Sequence, residues 1–239
     1  MIRMKVVKQI MEHAKACYPN EACGVVMQKG ISQHFVPVQN VDQDPANSFT
    51  MNPQQYDDLE SGMMNLGEIA YIVHSHPDAT AIASERDLAQ CNEHKIPWAI
   101  VSWPEGDLRY YQPEELPLVG RPFSLGAYDC WGLIMAYFKQ EHGIELHDYR
   151  VPYAWWEKGE NLYMDNWYEA GFREFEGPIQ AGDMAMIQVK SEVVNHAGVF
   201  TEDGYLLHHL YGYLSREDVY GGYMKERTIK IVRHKDLFK

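Results

Sequence analysis

The chain lacks the two features that membrane insertion and nucleic-acid binding would require. No apolar stretch approaches the roughly 20 residues that span a bilayer, and 21 lysines and arginines stand against 34 aspartates and glutamates. A net charge of -13 repels a phosphate backbone, which is bound through dense basic patches. We therefore expect neither a nucleic-acid partner nor insertion into a membrane.

A secretory leader is also missing from the first residues. The segment 1–10 contains three basic residues and no uninterrupted apolar core. We expect the protein to be made in a cytoplasm, so that any extracellular substrate must be reached with the help of another carrier.

Cysteine is scarce and unpaired in the sequence. The four cysteines are Cys17, Cys23, Cys91 and Cys130, and none forms a Cys-x-x-Cys pair, which excludes a zinc knuckle and a thioredoxin-like motif. A cytoplasmic origin favours free thiols over disulfides. We interpret three of the four as small buried apolar residues and Cys130 as the exception, because its surroundings differ.

A cluster of prolines divides the chain into two parts. Pro104, Pro113, Pro117 and Pro122 lie close together, and proline disfavours sheet pairing, so residues 112–122 are predicted to form an extended linker. The predicted domains are 1–111 and 123–239. Both are expected to be α+β and to mix helices with antiparallel strands.

Periodicity and turn residues predict the elements of each domain. Helices are predicted over residues 6–17, 53–64, 84–94 and 129–141. Strands are predicted over residues 22–27, 34–41, 69–73, 98–102, 108–111, 184–189, 197–201 and 205–209.

Two histidines follow directly on the buried strand predicted at 69–73. His74 and His76 lie two residues apart on an extended backbone, so their imidazoles point the same way. A catalytic zinc takes three protein ligands, and Asp87 offers a third. The alternative is that Ser84 and Asp87 only form a capping box. We expect both, with a helix that begins at Ser84 and presents Asp87 in its first turn.

The spacing His74-Ser75-His76, seven residues, Ser84, two residues, Asp87 resembles the JAMM motif of the MPN metallopeptidases. The context of Glu21, in Glu-Ala-Cys-Gly-Val, resembles the upstream glutamate of that family. The resemblance implies Zn²⁺ on the two histidines and Asp87. It also implies that Glu21 moves a proton from water to the leaving amine and that Ser84 hydrogen-bonds the oxyanion. Without these partners, Glu21 would be interpreted as a solvated turn residue.

Cys130 and two histidines form a second group. Cys130 begins a predicted helix, whose dipole favours a thiolate. His196 and His208 lie on predicted strands joined by a turn at Asp203-Gly204, which brings them together in a hairpin. Separately, each has an ordinary alternative as a buried cysteine or a core histidine. Their order along the chain favours a nucleophile with a base.

The segments Asp-Cys-Trp-Gly-Leu at 129–133 and His-Ala-Gly-Val-Phe at 196–200 resemble the NlpC-type family of papain-like peptidoglycan endopeptidases. The resemblance implies Cys130 as nucleophile, His196 as general base and His208, rather than His209, as the group that orients the base. It implies peptidoglycan stem peptides as substrates. The family usually has serine after the cysteine, where this chain has Trp131.

An aromatic-rich stretch lies between the two segments of the second motif. It contains Trp155, Trp156 and Trp167, which are additional to the family pattern. We interpret this cluster as core or as a protein-binding surface rather than as a platform for glycans.

The succession of the two domains within 239 residues resembles tail-tip proteins of lambda-like phages. The resemblance implies other phage tail-tip proteins as partners, a place in the host cytoplasm during assembly, and a place in the virion tail tip. It implies two peptidase sites that open peptidoglycan during infection or act on partners in assembly. One alternative is a structural adaptor with idle peptidase folds. Another is a cellular isopeptidase for ubiquitin-like tails, against which the second domain argues.

Overall fold

The computed structural model describes residues 1–238, which form two compact units. The first comprises Met1–Glu115 and the second begins at Leu116. Each unit combines helices with a sheet, as expected for an α+β class. Within the described residues, no helix has the length and apolar character needed to cross a bilayer.

The stretch predicted as an extended linker is divided between the units. The amide of Glu114 donates to the Asn92 side chain in the first unit at 2.7 Å. In the second unit, Gly120 N donates to Ser215 O at 2.8 Å and Ser215 N donates to Arg121 O at 3.0 Å. Residues 116–121 are therefore attached to the second unit through backbone pairing.

The sheet of the first unit has the strand order β2-β1-β3-β4-β5. Its strands are β1 Cys23–Lys29, β2 Ser32–Val38, β3 Glu68–Pro77, β4 Trp98–Trp103 and β5 Leu108–Tyr111. Besides the expected antiparallel pairs the sheet contains one parallel pair, β3 with β4, which was not predicted. The connection between them includes helix α3 (Glu85–His94), and a parallel pair needs such a crossover.

The helices of the first unit begin close to the predicted positions. Helix α1 (Met4–Cys17) buries Val6, Ile10 and Ala14, which share one face at helical spacing. Helix α2 (Pro53–Glu60) ends four residues before the predicted 64, and the backbone at Gly62 is left-handed with φ +75°. Helix α3 begins after Ser84, which caps it as predicted.

The second unit has a sheet of order β10-β9-β8-β7-β11-β6. Its strands are β6 Phe172–Arg173, β7 Met184–Ile187, β8 His196–Phe200, β9 Tyr205–His208, β10 Arg216–Val219 and β11 Thr228–His234. Strands β6, β10 and β11 were not predicted. In β10 the sequence Arg-Glu-Asp-Val carries three charged residues and no apolar alternation.

Helix α4 (Cys130–Tyr137) is the buried helix of the second unit. It continues as a π-helical turn, Phe138–His142, which ends at Gly143 in a left-handed conformation, as the sequence predicts. Its apolar side chains pack with residues of β7 and β8 into one core. Two short helices complete the unit, α5 (Leu162–Asn166) and α6 (Gly222–Glu226).

Candidate active sites

Strand β3 and helix α3 bring the three predicted metal ligands together. His74 Nε2 lies 3.0 Å from His76 Nε2 and 3.4 Å from Asp87 Oδ1. His76 Nε2 lies 3.4 Å from Asp87 Oδ2. The histidines belong to β3 itself, rather than following it, because the strand runs on to Pro77. One ligand atom from each of the three residues lies within 4.8 Å of the others, which suits a single metal ion.

The protonation of this cluster fits a cation. His76 Nδ1 lies 2.8 Å from Thr80 O, which assigns its proton to Nδ1 and leaves the Nε2 lone pair facing the cluster. Burial lowers the pKa of His74 to about 4, so this imidazole is neutral near pH 7. Burial also lowers the pKa of His76, but hydrogen bonds to Asp87 and Thr80 outweigh it and raise the value. The site therefore attracts positive charge.

Asp87 supplies the negative charge of the cluster. Burial alone would raise its pKa, yet hydrogen bonds from His76 and Ser84 and the electrostatic interaction with His74 lower it to about 2. Two imidazoles and an ionised carboxylate are the donor types that zinc prefers. The residues present thus fit a zinc ion.

Glu21 lies in the cavity beside this cluster, at the entry to β1. Its side chain is 8% exposed, and burial raises the pKa of its carboxyl to about 7. The backbone is fixed by Glu21 N donating to Pro45 O at 2.7 Å and by Asn40 Nδ2 donating to Glu21 O at 3.0 Å. Glu21, His76, Ser84 and Asp87 all line a cavity of about 130 Å³. A carboxyl that titrates near pH 7 is suited to accept and return a proton.

Ser75, the central residue of the His-Ser-His motif, links the histidines to Glu21. Its Oγ accepts from Ala22 N at 2.8 Å, and its backbone N donates to Ala22 O at 2.9 Å. Because Ala22 follows Glu21 directly, this pairing fixes the glutamate relative to β3. Sequence reasoning gave Ser75 no role, although its place between the two predicted ligands is a signal that could have found it.

Ser84 forms three hydrogen bonds with Asp87, of which one runs from Ser84 N to Asp87 Oδ2 at 2.7 Å and two involve the Ser84 side chain. Its Oγ donates to Asp87 Oδ2 at 2.7 Å and accepts from Asp87 N at 3.1 Å. Asp87 therefore belongs to the capping box and is also one of the predicted metal ligands, as expected from the sequence. In this arrangement the Ser84 hydroxyl donates its hydrogen bond to Asp87. The hydroxyl must therefore rotate away from the carboxylate before it can donate to an oxyanion.

Cys130 occupies the first turn of α4. The N-cap is Asp129, whose carboxylate accepts from Gly132 N at 2.9 Å and from Gly126 N at 3.0 Å. This double contact orders the turn that presents the thiol. Cys130 and His196 line the same cavity, of about 620 Å³, in the second unit.

The histidines of the hairpin form a relay with a third group. His196 Nε2 lies 3.0 Å from His208 Nδ1, and His208 Nε2 lies 3.0 Å from Asp218 Oδ2. His209 instead directs Nε2 at Tyr213 O, at 3.1 Å, so the structure places His208 against His196. Sequence reasoning missed Asp218, because the strand that carries it was not predicted.

Strands β8 and β9 approach closely at this point because of a glycine. Gly198 pairs with His208, and a Cβ at Gly198 would lie 2.9 Å from the Cβ of His208. Any larger residue would push the relay apart. The glycine of the His-Ala-Gly segment is thus part of the site geometry.

The protonation of the Cys130 site departs from the sequence prediction. The thiol begins a helix as predicted, but burial, reinforced by Asp129, raises its pKa to about 12. Burial also lowers the pKa of His196 well below its usual value. The free site therefore favours a neutral thiol and a neutral imidazole, rather than the thiolate that the helix dipole alone would favour.

Tyr163 is a neighbour of the thiol that sequence reasoning did not identify. Its hydroxyl, on helix α5, donates to Cys130 Sγ at 3.1 Å. Burial raises the pKa of this hydroxyl well above its usual value, so it remains a donor. No spacing signal marks Tyr163, since it is one of many aromatic residues in its stretch of sequence.

Comparisons with known proteins divide the chain in the same way. Residues 4–113 match a family described as prokaryotic homologs of the JAB domain, and residues 120–233 match the NlpC/P60 family. Tail tip assembly protein K of Escherichia phage N15 is 54% identical over 239 residues, which cover 99% of this chain and 97% of that protein. Tail tip assembly protein K of Escherichia phage lambda is 33% identical over 190 residues, covering 77% and 89%.

A solved structure also matches, the solution structure of protein DSY2949 from Desulfitobacterium hafniense. It is 24% identical with a TM-score of 0.37, and the match covers 47% of this chain and 92% of that one.

Proposed function

Because this chain belongs to the family of the phage tail tip assembly proteins K, we propose that it is a tail-tip protein with two hydrolytic sites. The carrying observation is that two chemically complete groups of side chains occur in two separate units. One is a set of predicted metal ligands beside a carboxyl whose pKa is about 7. The other is a thiol in the same cavity as a histidine of the relay. Its partners are then other tail-tip proteins, in the host cytoplasm during assembly and in the virion tail tip.

The first unit is proposed to cleave peptide or isopeptide bonds with zinc on His74, His76 and Asp87. Zinc bound there would supply Lewis acidity and an activated water. Glu21 accepts a proton from the attacking water and returns it to the leaving amine. Ser84 donates to the oxyanion once its hydroxyl turns from Asp87.

The second unit is proposed to be a cysteine endopeptidase. His196 takes the proton of the Cys130 thiol as sulfur attacks the carbonyl carbon, and later gives that proton to the leaving amine. His208 and Asp218 hold the His196 ring and stabilise its charged form. Because the resting pair is neutral, proton transfer accompanies the attack. Peptidoglycan stem peptides are the substrate class that the NlpC/P60 match favours.

The zinc site is tested by metal content. We expect about one zinc per chain after dialysis of the purified full-length protein, and almost none for His76→Ala or Asp87→Asn, since each loses a ligand. Asp57→Ala, on the exposed side of α2, is the matched control and should retain the metal. Zinc that persists in a His74→Ala/His76→Ala double variant would refute the assignment.

The cysteine site is tested by digestion of purified peptidoglycan with the full-length protein, followed by mass spectrometry of the products. We expect new stem-peptide fragments that disappear with Cys130→Ala and persist with Cys17→Ala. Glu21→Ala and zinc chelation should leave these products unchanged, because a thiol attack needs neither water activation nor a metal. Loss of the products in folded Glu21→Ala protein would contradict two independent sites.

The structural-adaptor alternative predicts a different pattern. Neither peptidoglycan nor tail-tip proteins would be cut, and phage carrying Cys130→Ala or Glu21→Ala would assemble and infect normally.

A further inference from the structure

One side of the cavity beside Cys130 is lined by a continuous series of aromatic rings, which we term the aromatic belt. Its members, in order of contact, are Trp131, Tyr163, Trp155, Trp156, Tyr211 and Phe123. Successive ring centroids lie between 5.2 and 6.2 Å apart, and all six residues line the cavity. The belt is therefore one wall, assembled from residues far apart in sequence.

The belt adjoins the proposed nucleophile directly. Tyr163 donates its hydroxyl to Cys130 Sγ at 3.1 Å, and Trp131 is the next residue in the chain. A volume of about 620 Å³ is large enough for a bulky side chain together with the backbone that carries it. A group bound against the belt thus lies beside the bond that Cys130 would attack.

The charged groups of the cavity are mostly satisfied by the protein itself. Asp129 is bound by two backbone amides, Arg150 pairs with Asp148, and Arg216 pairs with Asp218. Among the residues described, the remaining charged lining groups are Glu157 and Lys190, for which no ion pair is observed, and both are exposed. The belt itself therefore favours an apolar group over a charged one.

The rings next to Cys130 are poorly placed to stack on sugars, whereas Tyr211, near the other end of the belt, is 65% exposed. Trp131, Trp155 and Tyr163 are only 8, 7 and 7% exposed, and their contacts with one another are edge-on or tilted. Stacking on a sugar requires an open ring face. An apolar wall suits the side chain of an amino acid instead.

We propose that the aromatic belt forms a specificity pocket for a large apolar or aromatic side chain, so that the Cys130 site also acts on polypeptide. This inference rests on the proposed cysteine peptidase function. In the reaction, a bond forms between Sγ and the carbonyl carbon and the peptide C–N bond breaks. The thiol proton passes through His196 to the leaving amine, and water then hydrolyses the thioester and restores the thiol.

The cleavage arm of the test uses a peptide library prepared from a digested proteome. Full-length protein should cut with an aromatic or large aliphatic residue enriched about tenfold or more at one position beside the scissile bond. Trp156→Ala, which opens the belt away from Cys130 Sγ, should abolish the enrichment. Tyr168→Ala, on an exposed ring outside the cavity, should leave it intact.

The binding arm needs no catalysis and uses immobilised full-length Cys130→Ala protein with the same library. Retained peptides should show the same enrichment, again lost with Trp156→Ala. Retention without any cutting by the wild type would refute the peptidase function and leave the pocket standing. Cutting of stem peptides without enrichment in either arm would overturn the pocket and leave the peptidase standing. Absence of enrichment in both arms overturns the pocket in every case.

Discussion

The four cysteine side chains differ in access more than in acidity. Burial raises the pKa of Cys23 and Cys130 to about 12 and of Cys91 to about 11, and it also raises that of Cys17. Cys23 and Cys91 are buried as predicted, whereas Cys17 is only partly buried. Fast reaction at Cys130 must therefore come from a base that removes its proton during attack, rather than from a standing thiolate.

We predict that iodoacetamide at neutral pH labels Cys130 faster than Cys17, and leaves Cys23 and Cys91 unlabelled in the folded protein. Replacing His196 by Ala should slow the labelling of Cys130 by about tenfold or more, because the proton acceptor is lost. Mass spectrometry of timed samples measures all four sites, and Cys17 serves as the internal control. An unchanged rate at Cys130 in His196→Ala would show that the imidazole does not activate the thiol.

The grouping of the residues in both proposed sites could be predicted from the sequence where short-range spacing carries the chemistry. His74, His76 and Asp87 follow from strand alternation and a helix cap, which are local geometry. The charge state of Cys130 did not follow, because burial depends on the packing of the whole unit. The role of Tyr163 was not predicted for the same reason, because its contact with Cys130 joins residues 33 positions apart in the sequence.

At the scale of elements, most long helices and strands were predicted, but the seven-residue strand β11 and the short polar strand β10 were not. Helix α3 and strand β4 lie where periodicity places them. The parallel pairing of β3 with β4 was missed, because alternation within a strand does not reveal the direction of its neighbour. Strand β10 was missed although it supplies Asp218, because its charged residues are stabilised by pairing with β9.

The hairpin of β8 and β9 carries three buried histidines and should be sensitive to acid. Burial lowers the pKa of His196, His208 and His209, the last to about 4 from an ordinary value of 6.5. The unfolded chain therefore binds these protons first. The contribution of the neutral imidazoles to the free energy of unfolding is fully present above about pH 6.5. It is lost as the pH falls towards 4, because the unfolded chain binds protons that the folded chain does not.

We predict that the urea midpoint of unfolding falls between about pH 7.5 and about pH 5.5, with each buried histidine contributing up to roughly 1.4 kcal/mol per pH unit. His209→Gln should reduce this slope, whereas His147→Gln, on an exposed residue, should not. Tryptophan fluorescence reports the unfolding. Asp129, whose pKa burial raises to about 6, opposes the trend, but its effect is common to all variants and cancels. Equal slopes for His209→Gln and the wild type would contradict the assignment.

At the scale of the molecule, each unit has its own core and its own proposed site. The core around α1 and the first sheet contains residues of the first unit alone, and the core around α4 contains residues of the second alone. Such units generally fold independently. The prolines predict the approximate position of the domain boundary. Its exact position depends on hydrogen bonds between Arg121 and Ser215, which lie 94 residues apart, and no local sequence pattern reveals such contacts.

Residues 116–121 should stabilise the second unit measurably. Ser215 is 1% exposed, and its Oγ accepts from Arg121 N at 2.8 Å and donates to Leu118 O at 2.7 Å. Its backbone forms the two further bonds to Gly120 and Arg121. A fragment that begins at Pro122 loses all four and leaves buried polar groups of Ser215 without partners, which costs about 1–3 kcal/mol each when water does not replace them.

We predict that a fragment of residues 116–239 is more stable than one of residues 122–239 by on the order of 2 kcal/mol, because part of the lost bonding is recovered by water. Urea unfolding followed by tryptophan fluorescence compares the two. Ser215→Ala in the longer fragment should fall between them, since it removes the two side-chain bonds and keeps the two of the backbone. Coincident midpoints for both fragments would show that residues 116–121 are an extended linker after all, as the prolines alone suggest. A large difference places the start of the second domain at Leu116, and the shorter fragment would then lose the support of the segment next to Phe123, which belongs to the aromatic belt.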